Sequence, residues 1–544
     1  MGKDTGLDAV LKELGPFGKY NIVNYALLLF PIYLAGMYGS VFVFESPDIN
    51  YRCNISECES LNNTLWLDHA IPEEKGKLMK CKRYGFSTNN TSTCGLDHFD
   101  TSKILDCGEF VYSDEDSAVK DFNLGCQNWK RTLIGTIHNS GLFVSLPLTG
   151  ILSDKYGRKL ALSVAALMNG IFGVLRSFAI NYPMLLAFEF LEAATGAGMY
   201  STAFVIAMEL VGPKGRVFGN TLINALYVLG LMTLSGLSWW LQSWRTLLRV
   251  IYIPALFVIS YYWILNESVR WLMSKGRHQE ATMILKKAAK MNKVQLSDEA
   301  LAPLYELEKT SVDPVEDEKK ENGIVPNEVK PDKEPSNFAK VFKSSIIRKR
   351  VFVCSFLWIT CTFVYYGLSI NSVSLAGNMY VNFMLVAFVE IPANFVCLLL
   401  LDRFGRKRVL INTYVLSACL CISLSFLPKG HKWWALFLYL SGKFSITVAY
   451  STVYIYVSEV FPTSVRQSLL AVCSSIGRIG SATAPLTPLL ALYYENLPAI
   501  FFGSMALVAS LLVFTLPETI NTALPNTIEE AEALSQNKKE KDYT

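Results

Sequence analysis

A charged motif occurs twice in this chain of 544 residues, once in each half. The first copy, Gly-Ile-Leu-Ser-Asp-Lys-Tyr-Gly-Arg-Lys, covers residues 150–159, and the second, Asp-Arg-Phe-Gly-Arg-Lys, covers residues 402–407. Three further pairs repeat the same spacing of about 250 residues: Glu209 and Glu459, Arg216 and Arg466, and Glu267 and Glu518. Charged motifs that recur in one order at nearly constant spacing predict two related halves, a pattern typical of transporters built by duplication.

The composition indicates a membrane protein with several spanning segments. Hydrophobic residues make up 51% of the chain and charged residues only 18%, and the mean hydropathy is +0.29. Soluble proteins usually carry about 25% charged residues. The net charge of +4 excludes little, because the positions of the charges matter more than their sum. The residues before the first apolar stretch are polar and of mixed charge, so we expect no cleavable signal peptide.

Apolar runs of about 20 residues predict twelve membrane spans. Spans 1 to 6 are expected at 21–44, 132–152, 160–180, 183–210, 217–241 and 246–265. Spans 7 to 12 are expected at 350–371, 377–401, 408–427, 433–457, 467–493 and 498–516. The even count places both termini on one side, and the Lys- and Arg-rich loops at 154–159 and 402–408 assign that side to the cytoplasm.

The predicted fold is an all-α membrane protein of twelve transmembrane helices in two pseudo-symmetric six-helix bundles, with a disulfide-rich extracellular loop. Its parts are a cytosolic N-terminus at 1–20, a first bundle at 21–266 that includes the extracellular loop at 45–130, a cytosolic loop at 267–345, a second bundle at 346–517 and a cytosolic tail at 518–544. Within the cytosolic loop, 279–290 is helix-forming sequence, and the Pro-, Glu- and Lys-rich stretch near 308–336 is typical of a disordered linker.

Cysteines and glycosylation motifs concentrate in the predicted extracellular loop. It holds six of the twelve cysteines: Cys53, Cys58, Cys81, Cys94, Cys107 and Cys126. An even set in an oxidising compartment predicts three disulfides, with fifteen possible pairings. A zinc site is the alternative, which the absence of C-x2-C spacing disfavours. The loop also carries four candidate glycosylation sites, Asn54, Asn62, Asn89 and Asn90, whereas the match at Asn266 falls on the cytoplasmic side.

The repeated motif resembles the signature loop between helices 2 and 3 of the major facilitator superfamily, and the resemblance covers the whole chain. The large Cys-rich loop after span 1 narrows it to the organic cation/anion/carnitine transporter family. Segments 442–446, 454–466 and 516–519 fit that family. The end of span 6 is similar to the family's Pro-Glu-Ser-Pro-Arg-Trp, but here Asn266 and Val269 replace both prolines. The resemblance implies the major facilitator fold.

Charged residues at the predicted cytoplasmic helix ends are candidate gating residues. Arginines and carboxylates there can pair across the two bundles when the inner side is shut, and opening would break these pairs. The alternative is that they act only as topology signals, which we favour for Lys155 and Lys407. The candidate gating residues are Asp154, Arg158, Glu209, Arg216, Glu267, Arg270, Asp402, Arg406, Glu459, Arg466 and Glu518.

Four ionisable residues lie well inside predicted spans: Arg176, Glu390, Lys443 and Arg478. Each costs about 2.5–3.5 kcal/mol at a helix centre, so such residues usually serve substrate or ion binding. The alternative is mutual pairing inside the bundle, which is strong for Arg176, since that residue lies toward the outer end of its helix and could also extend to the membrane surface. Glu390 and Lys443 could likewise neutralise each other. Because Gly477 and Gly480 flank Arg478, we expect its surroundings to be open and its side chain to face a cavity.

The family resemblance implies a substrate class. Cation and carnitine members tend to carry the acid that matches Glu390, whereas anion and carnitine members tend to carry an arginine at the position of Arg478. The stretch Tyr-Tyr-Gly-Leu-Ser at 365–369 also resembles the carnitine branch. An acid and a base together suit a zwitterion or an amino-acid-like cation.

Aromatic residues in spans that line the central cavity of this superfamily are further candidates for substrate binding: Tyr200, Tyr227, Trp358, Tyr365, Tyr366, Tyr450 and Tyr454. An ammonium group over an aromatic face gains about 0.5–2 kcal/mol. Ordinary packing is the alternative, and Tyr200 and Tyr366 are the pair that we favour as cavity residues. We assign Trp239, Trp240, Trp433 and Trp434, at span ends, to the interfacial belt.

The function predicted from these residues is secondary transport of small organic ions, cationic or zwitterionic, across the plasma membrane by alternating access. Alternatives are an organic anion transporter that uses Arg478 and a transport-inactive receptor or adhesion protein. Sodium coupling of the carnitine-carrier type is disfavoured, because Ile32 and Met199 stand where those carriers have asparagines. The sequence has no nucleotide, metal or nucleophile motif of an enzyme, so we expect no cofactor and no nucleic acid partner, only the substrate and the lipid bilayer.

Overall fold

The computed structural model describes residues 6–15, 18–59, 66–74, 77–87, 94, 98–211, 213–297, 344–428, 430–462, 465–520, 525 and 527–533. The candidate glycosylation sites at Asn62, Asn89 and Asn90 and the linker near 308–336 lie outside the described residues. Asn54 is described and half-buried, and its side-chain amide donates a hydrogen bond of 3.0 Å to Glu109 Oε2.

Each predicted span of the first half coincides with helix. In order, these helices are Lys19–Tyr38 with Phe42–Glu45, Asn128–Tyr156, Arg158–Arg176, Tyr182–Gly196 with Gly198–Leu210, Pro213–Leu241, and Trp244–Phe257 with Tyr261–Ile264. In span 1 a break at Gly39 to Val41 separates the two helical pieces. We call these helices spans 1 to 6.

The second half repeats the arrangement. Spans 7 to 12 are Ser345–Asn371, Met379–Phe388 with Glu390–Phe404, Arg406–Ser425, Lys432–Val460, Arg466–Thr483 with Thr487–Leu490, and Leu497–Val513. Among the described residues, eight of the twelve helical stretches are long and apolar enough to cross a membrane by length and composition, and Leu497–Val513 is a shorter apolar helix of 17 residues.

The helices of each half pack in the same pairs, as a duplicated chain requires. Span 1 packs on span 5, span 2 on span 4 and span 3 on span 6, and spans 7 and 11, 8 and 10, and 9 and 12 repeat these contacts. Between the halves, spans 5 and 8 and spans 2 and 11 make extensive contacts. Ser235 Oγ donates to the Tyr380 carbonyl at 2.8 Å, and the Trp239 ring stacks on the Tyr380 ring.

The segment between spans 1 and 2 forms a small domain of antiparallel strand pairs, and we call its side of the molecule the outer end. Strand β1 (Tyr51–Cys53) pairs with β6 (Phe110–Tyr112), β2 (Glu73–Glu74) with β3 (Lys77–Leu78), and β4 (Lys82–Phe86) with β5 (Phe99–Asp106). Its apolar core consists of Ile55, Cys58, Trp66, Ala70, Ile71 and Phe99.

A charged pair borders that core. The Arg52 guanidinium lies 5.5 Å from the centre of the Trp66 ring and donates to Glu59, with an Nη2 to Oε2 distance of 2.9 Å. These hydrogen bonds from Arg52 lower the pKa of the Glu59 carboxyl. Glu59 therefore holds the Arg52 guanidinium over the face of the Trp66 ring.

The small domain is docked on the outer end of span 6. Ser243 Oγ donates to Asp116 Oδ2 at 2.6 Å, and Asp121 Oδ2 accepts hydrogen bonds from Trp244 Nε1 at 3.1 Å and Arg245 Nε at 3.0 Å. The same Arg245 donates to the carbonyls of Ser177 and Ala179 at the end of span 3. One arginine thus ties the domain to two spans.

The six cysteines of this domain pair as Cys53–Cys107, Cys58–Cys94 and Cys81–Cys126. Their Cα atoms are 5.4, 5.8 and 5.7 Å apart, inside the range that disulfides require. The other six cysteines, Cys354, Cys361, Cys397, Cys419, Cys421 and Cys473, are free thiols. The structure thus selects one of the fifteen possible pairings.

We expect non-reducing peptide mapping to recover these three pairs. Alkylation of the unfolded, unreduced chain should label only the six cysteines of the spans, which serve as the internal control. Each bridge closes a long loop and should contribute about 2–4 kcal/mol by restricting the unfolded chain. Labelling of all twelve thiols in protein taken from the cell surface would contradict the pairing.

At the opposite, inner end, two helices lie against the first half. Gly6–Glu13 and His278–Asn292 share an apolar core of Leu7, Val10, Leu11, Leu14, Tyr20, Leu285, Ala288 and Ala289. Asn292 joins them, since its Oδ1 accepts from the Tyr20 backbone N–H at 2.8 Å and its Nδ2 donates to the Leu14 carbonyl at 3.1 Å. The helix that the sequence predicts at 279–290 lies within the second of these helices.

Asn266 has a structural role where the related family has proline. Its Nδ2 donates to the Tyr20 hydroxyl at 3.1 Å, and its Oδ1 accepts from Lys287 Nζ at 3.2 Å. A proline could make neither contact. The substitution therefore fastens the end of span 6 to span 1 and to the helix His278–Asn292.

The segment between the two halves is fastened at both described ends. At its start, the Ser297 backbone N–H and hydroxyl donate to the Glu13 carboxylate at 3.0 and 2.6 Å. At its end, Ser344 Oγ donates to Glu532, and Arg350 donates to the Ala531 carbonyl. Glu532 and Ala531 belong to the short helix Ile528–Ala533.

Candidate functional site

The two copies of the repeated motif have matching backbone geometry. Gly157 and Gly405 have φ angles of +106° and +84°, which favour glycine, and each precedes the first residue of a helix. The Glu267 carboxylate accepts from the Arg158 N–H at 3.0 Å, and the Glu518 carboxylate accepts from the Arg406 N–H at 3.0 Å. A carboxylate thus caps the N-terminus of span 3 in one half and of span 9 in the other.

These glycines also leave room for the capping carboxylates. A Cβ on Gly157 would lie 2.3 Å from Glu267 Oε2, and one on Gly405 would lie 2.9 Å from Glu518 Oε2. We expect Gly157→Ala and Gly405→Ala each to destabilise the purified protein by about 1–2 kcal/mol, from backbone strain and a displaced cap. Thermal unfolding in detergent would measure this.

Gly150 provides the matched control for these variants. It lies in the first copy of the motif, inside the helix of span 2, and a Cβ there would meet nothing within 4 Å. Gly150→Ala should leave stability unchanged or raise it by up to about 1 kcal/mol. Equal losses in all three variants would show that the caps are not responsible.

The ion pairs of the motif that the structure describes join helices within one half. Arg158 contacts Asp154 at 2.5 Å and Glu209 at 3.6 Å. Arg406 contacts Glu459 at 3.1 Å, and that carboxylate also accepts from Thr519 Oγ1 at 2.6 Å. Pairing across the bundles, expected for a shut inner side, stays a prediction.

The remaining gating candidates lie at the same inner end. Arg216, Arg270 and Arg466 are half-buried, and Asp154 and Asp402 are exposed. Arg466 Nε donates to the Phe461 carbonyl at 3.3 Å.

A small cavity of about 10 Å³, room for about one water molecule, lies between the two halves. The first half contributes Ser40, Tyr227 and Leu231 to its wall. The second half contributes Tyr365, Tyr366, Ser369, Phe383, Val386, Ala387 and Glu390. Four of the predicted substrate-binding residues thus bound one space.

Glu390 and Lys443 form a buried ion pair. Lys443 Nζ lies 3.0 Å from Glu390 Oε1 and donates to Ser369 Oγ at 2.8 Å and to the Tyr365 carbonyl at 3.1 Å. It also lies 3.2 Å from the centre of the Tyr365 ring. Lys443 contacts Tyr365, which lines the cavity, but is not itself one of the described residues that line it. Glu390 and Lys443 thus neutralise each other, which was the alternative considered from the sequence.

Arg478 lies among phenol groups rather than carboxylates. The phenol groups of Tyr366, Tyr450 and Tyr454 lie close to its guanidinium. Tyr200 of the first half also comes close to Arg478. Among the described residues, no carboxylate pairs with Arg478. It is therefore a half-buried cation without a counter-ion in the part of the chain that the structure describes.

The glycines beside Arg478 do not open its surroundings, and that interpretation of the sequence was wrong. A Cβ on Gly480 would lie 2.3 Å from the Ile359 carbonyl oxygen, and one on Gly477 would lie 3.0 Å from Trp358 Cβ. These glycines allow span 11 to pack closely on span 7. The approach of the two backbones carries the Arg478 side chain toward the tyrosines of spans 7 and 10.

The predicted aromatic residues come together in two groups. Tyr200 and Tyr227, from spans 4 and 5, have ring centres 5.5 Å apart. In the second half, the Trp358 ring meets Tyr450 and Tyr454 edge-on, and Tyr365 contacts Tyr366 and stacks on Tyr450. Tyr366 lies on the cavity wall and next to Arg478, so it connects the two. The four belt tryptophans, Trp239, Trp240, Trp433 and Trp434, are exposed.

One buried cluster of charged residues was not predicted from the sequence. Glu45, His138, Glu189 and Glu192 surround Arg176 at the outer end of the first half, and all five are buried. Pairing inside the bundle, the alternative considered for Arg176 from the sequence, is the arrangement that the structure has, and the fully buried side chain does not extend to the membrane surface. A signal was present: Glu189 and Glu192 lie three residues apart inside a predicted span, on one helix face.

Ile32 and Met199, which replace the asparagines of sodium-coupled carnitine carriers, are packed in the main apolar core. Neither side chain offers an oxygen ligand to a cation.

Comparisons with known proteins agree with this architecture. The family model described as "Sugar (and other) transporter" matches residues 76–531. The "Organic cation transporter protein" of Drosophila melanogaster is 33% identical over 97% of this chain and 94% of its own length. "Organic cation/carnitine transporter 2" of Homo sapiens is 30% identical over 96% of this chain and 93% of its own length, and "Solute carrier family 22 member 3" of Mus musculus is 31% identical over 97% and 96%.

Among solved structures, the inward open conformation of the xylose transporter XylE from E. coli superposes with a TM-score of 0.59. It covers 95% of this chain and 99% of that chain at 17% sequence identity, which supports the fold alone. The family matches and this superposition confirm the fold and the kinship predicted from the repeated motif. The chain belongs to the organic cation/anion/carnitine transporter family of the major facilitator superfamily, which is a family of transporters and not of enzymes.

Proposed function

We propose that this secondary transporter of small organic ions carries zwitterions with a carboxylate and an ammonium group. The observation that carries the proposal is the position of Arg478, a cation without a carboxylate partner among the described residues, next to the tyrosines between the two halves. The relatives named as organic cation and carnitine transporters support the same class of substrate.

The carboxylate of the substrate would bind the Arg478 guanidinium. Charge-assisted hydrogen bonds of this kind are about twice as strong as neutral ones, and the low dielectric of a closed cavity strengthens them further. Arg478 does not line the small cavity, but Tyr366 on the cavity wall lies beside it, so a substrate would reach the guanidinium when the cavity widens at Tyr366.

The ammonium group of the substrate would lie against the aromatic rings. Tyr227 lines the cavity from the first half, and Tyr365 and Tyr366 line it from the second. Tyr200 packs on Tyr227, and Tyr450 stacks on Tyr365, so both lie one ring away from the cavity. An ammonium over such rings gains about 0.5–2 kcal/mol. Glu390 adds a negative charge at the wall, although it already shares that charge with Lys443.

The ion pair between Glu390 and Lys443 favours a second candidate function, the transport of organic anions. With Glu390 and Lys443 neutralising each other, Arg478 supplies the one uncompensated charge among these three residues. A substrate with a carboxylate and no ammonium group would satisfy it as well. The two candidates differ in what they require of the tyrosines.

Uptake of three matched radiolabelled probes into proteoliposomes separates the candidates. The probes are a trimethylammonium carboxylate such as carnitine, a trimethylammonium alcohol without the carboxylate, and a hydroxy acid without the ammonium group. We expect the zwitterion to be carried fastest. Fastest uptake of the hydroxy acid would favour the second candidate, and fastest uptake of the alcohol would contradict a role for Arg478. Failure to carry any probe would favour a transport-inactive receptor.

We further propose that the protein lies in the plasma membrane with both termini in the cytosol. The Lys- and Arg-rich inner loops and the disulfide-bonded outer domain support this topology. An epitope inserted at Thr88 should bind antibody on intact cells, whereas one placed after Thr544 should require permeabilised cells. The reverse labelling would contradict the topology.

A further inference from the structure

Five ionisable side chains meet at the outer end of the first half, and we call them the outer charge cluster. They come from four different spans: Glu45 from span 1, His138 from span 2, Arg176 from span 3, and Glu189 and Glu192 from span 4. None is more than 2% exposed. The cluster is separate from Arg478 and Glu390, which belong to the second half.

Arg176 and His138 both contact the carboxylates. Arg176 donates to Glu189, and its Nη2 lies 3.5 Å from Glu45 Oε2 and its Nη1 3.8 Å from Glu192 Oε2. His138 Nδ1 lies 2.8 Å from Glu189 Oε1 and 3.6 Å from Glu192 Oε2. Glu189 therefore holds most of the available hydrogen bonds.

The other side chains packed around the outer charge cluster are aromatic. Tyr252 of span 6 accepts from Arg176 Nη2 at 3.4 Å, and its ring lies 5.3 Å from the guanidinium. Tyr38 of span 1 stacks on Tyr252 and donates its hydroxyl to the Ile251 carbonyl. Phe42 lies against the His138 ring. These groups supply no further positive charge.

The charges of the cluster do not balance when every carboxylate is ionised. Three carboxylates face one guanidinium and one imidazole, so one negative charge stays uncompensated even with His138 protonated. Within the described residues, Glu45 Oε1 and Oε2, Glu192 Oε2, His138 Nε2 and Arg176 Nε have no hydrogen-bond partner. A buried charge or polar atom without a partner is unfavourable, and such groups neutralise or acquire a ligand.

We propose that the outer charge cluster is a proton-binding site, in which a proton from extracellular water converts one of the Glu45 and Glu192 carboxylates to a carboxylic acid. The added proton removes the excess charge and provides a donor where acceptors lack one. A metal ion is the rival ligand, because the ligand atoms of His138, Glu189 and Glu192 lie within 4.8 Å of one another. The direct contact between His138 and Glu189 and the presence of Arg176 favour the proton.

The position of Glu45 connects this site to the contact between the halves. Glu45 ends the four-residue helix Phe42–Glu45, which a break separates from the rest of span 1. Phe44 in that helix packs on Tyr380 and Phe383 of the second half, with ring centres 5.7 and 5.0 Å apart. Phe383 is also part of the cavity wall.

Ionised Glu45 would gain solvation by leaving the enclosure, and it would draw Phe44 away from the second half. Proton binding would keep Glu45 inside and Phe44 in contact with span 8. The site therefore favours closure of the outer side, so external acid should accelerate the step that follows substrate binding. This consequence rests on the proposed transport function, whereas the binding of the proton itself does not.

Uptake at a series of external pH values, with internal pH fixed, tests the consequence in the full-length protein. We expect uptake of whichever probe is carried to rise several-fold as the external solution is acidified. This dependence should be lost in Glu45→Gln and in Glu192→Gln, because either change removes the excess negative charge. Asp114→Asn removes an exposed carboxylate of the outer domain and should keep the wild-type dependence. Unchanged dependence in both glutamine variants would overturn the proposal.

Infrared difference spectroscopy on the purified protein tests proton binding without transport. A pH jump should reveal the absorption of a protonated carboxylic acid in the wild type that is absent in Glu45→Gln or Glu192→Gln. No such band, in protein that carries a probe, would overturn the site and leave the proposed function standing. A band in protein that carries no probe would support the site and contradict the function. A divalent metal that copurifies at one ion per chain and is lost in His138→Gln would replace the proton with a metal.

Discussion

Uptake of a zwitterionic probe should fall by about 30-fold or more in Arg478→Ala, while a simple organic cation should be affected much less. Removing one partner of a buried charge-assisted contact costs about 2–5 kcal/mol, and each 1.4 kcal/mol corresponds to a factor of ten. The cation lacks the carboxylate that Arg478 would bind, so it loses nothing by the change. Initial rates for both probes, divided by the amount of protein at the cell surface, measure the difference.

Two further variants sharpen this experiment. Arg478→Lys keeps the positive charge but loses the planar fork of donors, so it should recover only part of the zwitterion uptake. Arg403→Ala removes an exposed arginine at the inner end and should leave both probes unaffected. Normal uptake of every probe by surface-expressed Arg478→Ala would assign Arg478 to packing against Tyr366 alone.

The second large effect should come from breaking the pair of Glu390 and Lys443. Glu390→Gln leaves the Lys443 ammonium buried without its carboxylate, and a loss of this kind costs about 3–5 kcal/mol. We therefore expect little Glu390→Gln protein at the cell surface and a low unfolding temperature in detergent. The double variant with Lys443→Met removes both charges at similar volume and should restore most of the stability.

The double variant also separates folding from substrate binding. Without Glu390, ammonium-bearing probes should bind more weakly, whereas the hydroxy acid probe should be carried almost as in the wild type. If the double variant were as unstable as Glu390→Gln alone, the ion pair would not be the reason for the defect. Equal losses for all three probes would contradict a role for Glu390 in selecting charge.

Local patterns explain what the sequence could predict. Hydropathy is a property of consecutive residues, so each of the twelve expected spans coincides with helix, to within a few residues at most ends. The repeated motif is likewise local, and it correctly indicated two similar halves. The helix at 279–290 followed from its composition alone.

Contacts between spans could not be predicted in the same way. Glu189 and Glu192 share a helix face in any model of span 4, but only the rotation of that helix decides whether the face meets Arg176 or lipid. The glycines beside Arg478 show the same limit, since the sequence did not reveal that span 7 lies against them. The disulfide pairing depends on how the strands of the outer domain fold together, so spacing left it open.

The fastenings at Ser297 and Ser344 bear on how far the two halves can separate. The segment between the halves is hydrogen-bonded to the helix Gly6–Glu13 at Ser297 and to the helix Ile528–Ala533 at Ser344. These two contacts hold the ends of the segment against the two halves, so a shorter part of the segment is free to span the distance between them. We expect loss of either contact, for example in Ser297→Ala or Ser344→Ala, to lengthen the free part of this segment without altering any membrane helix.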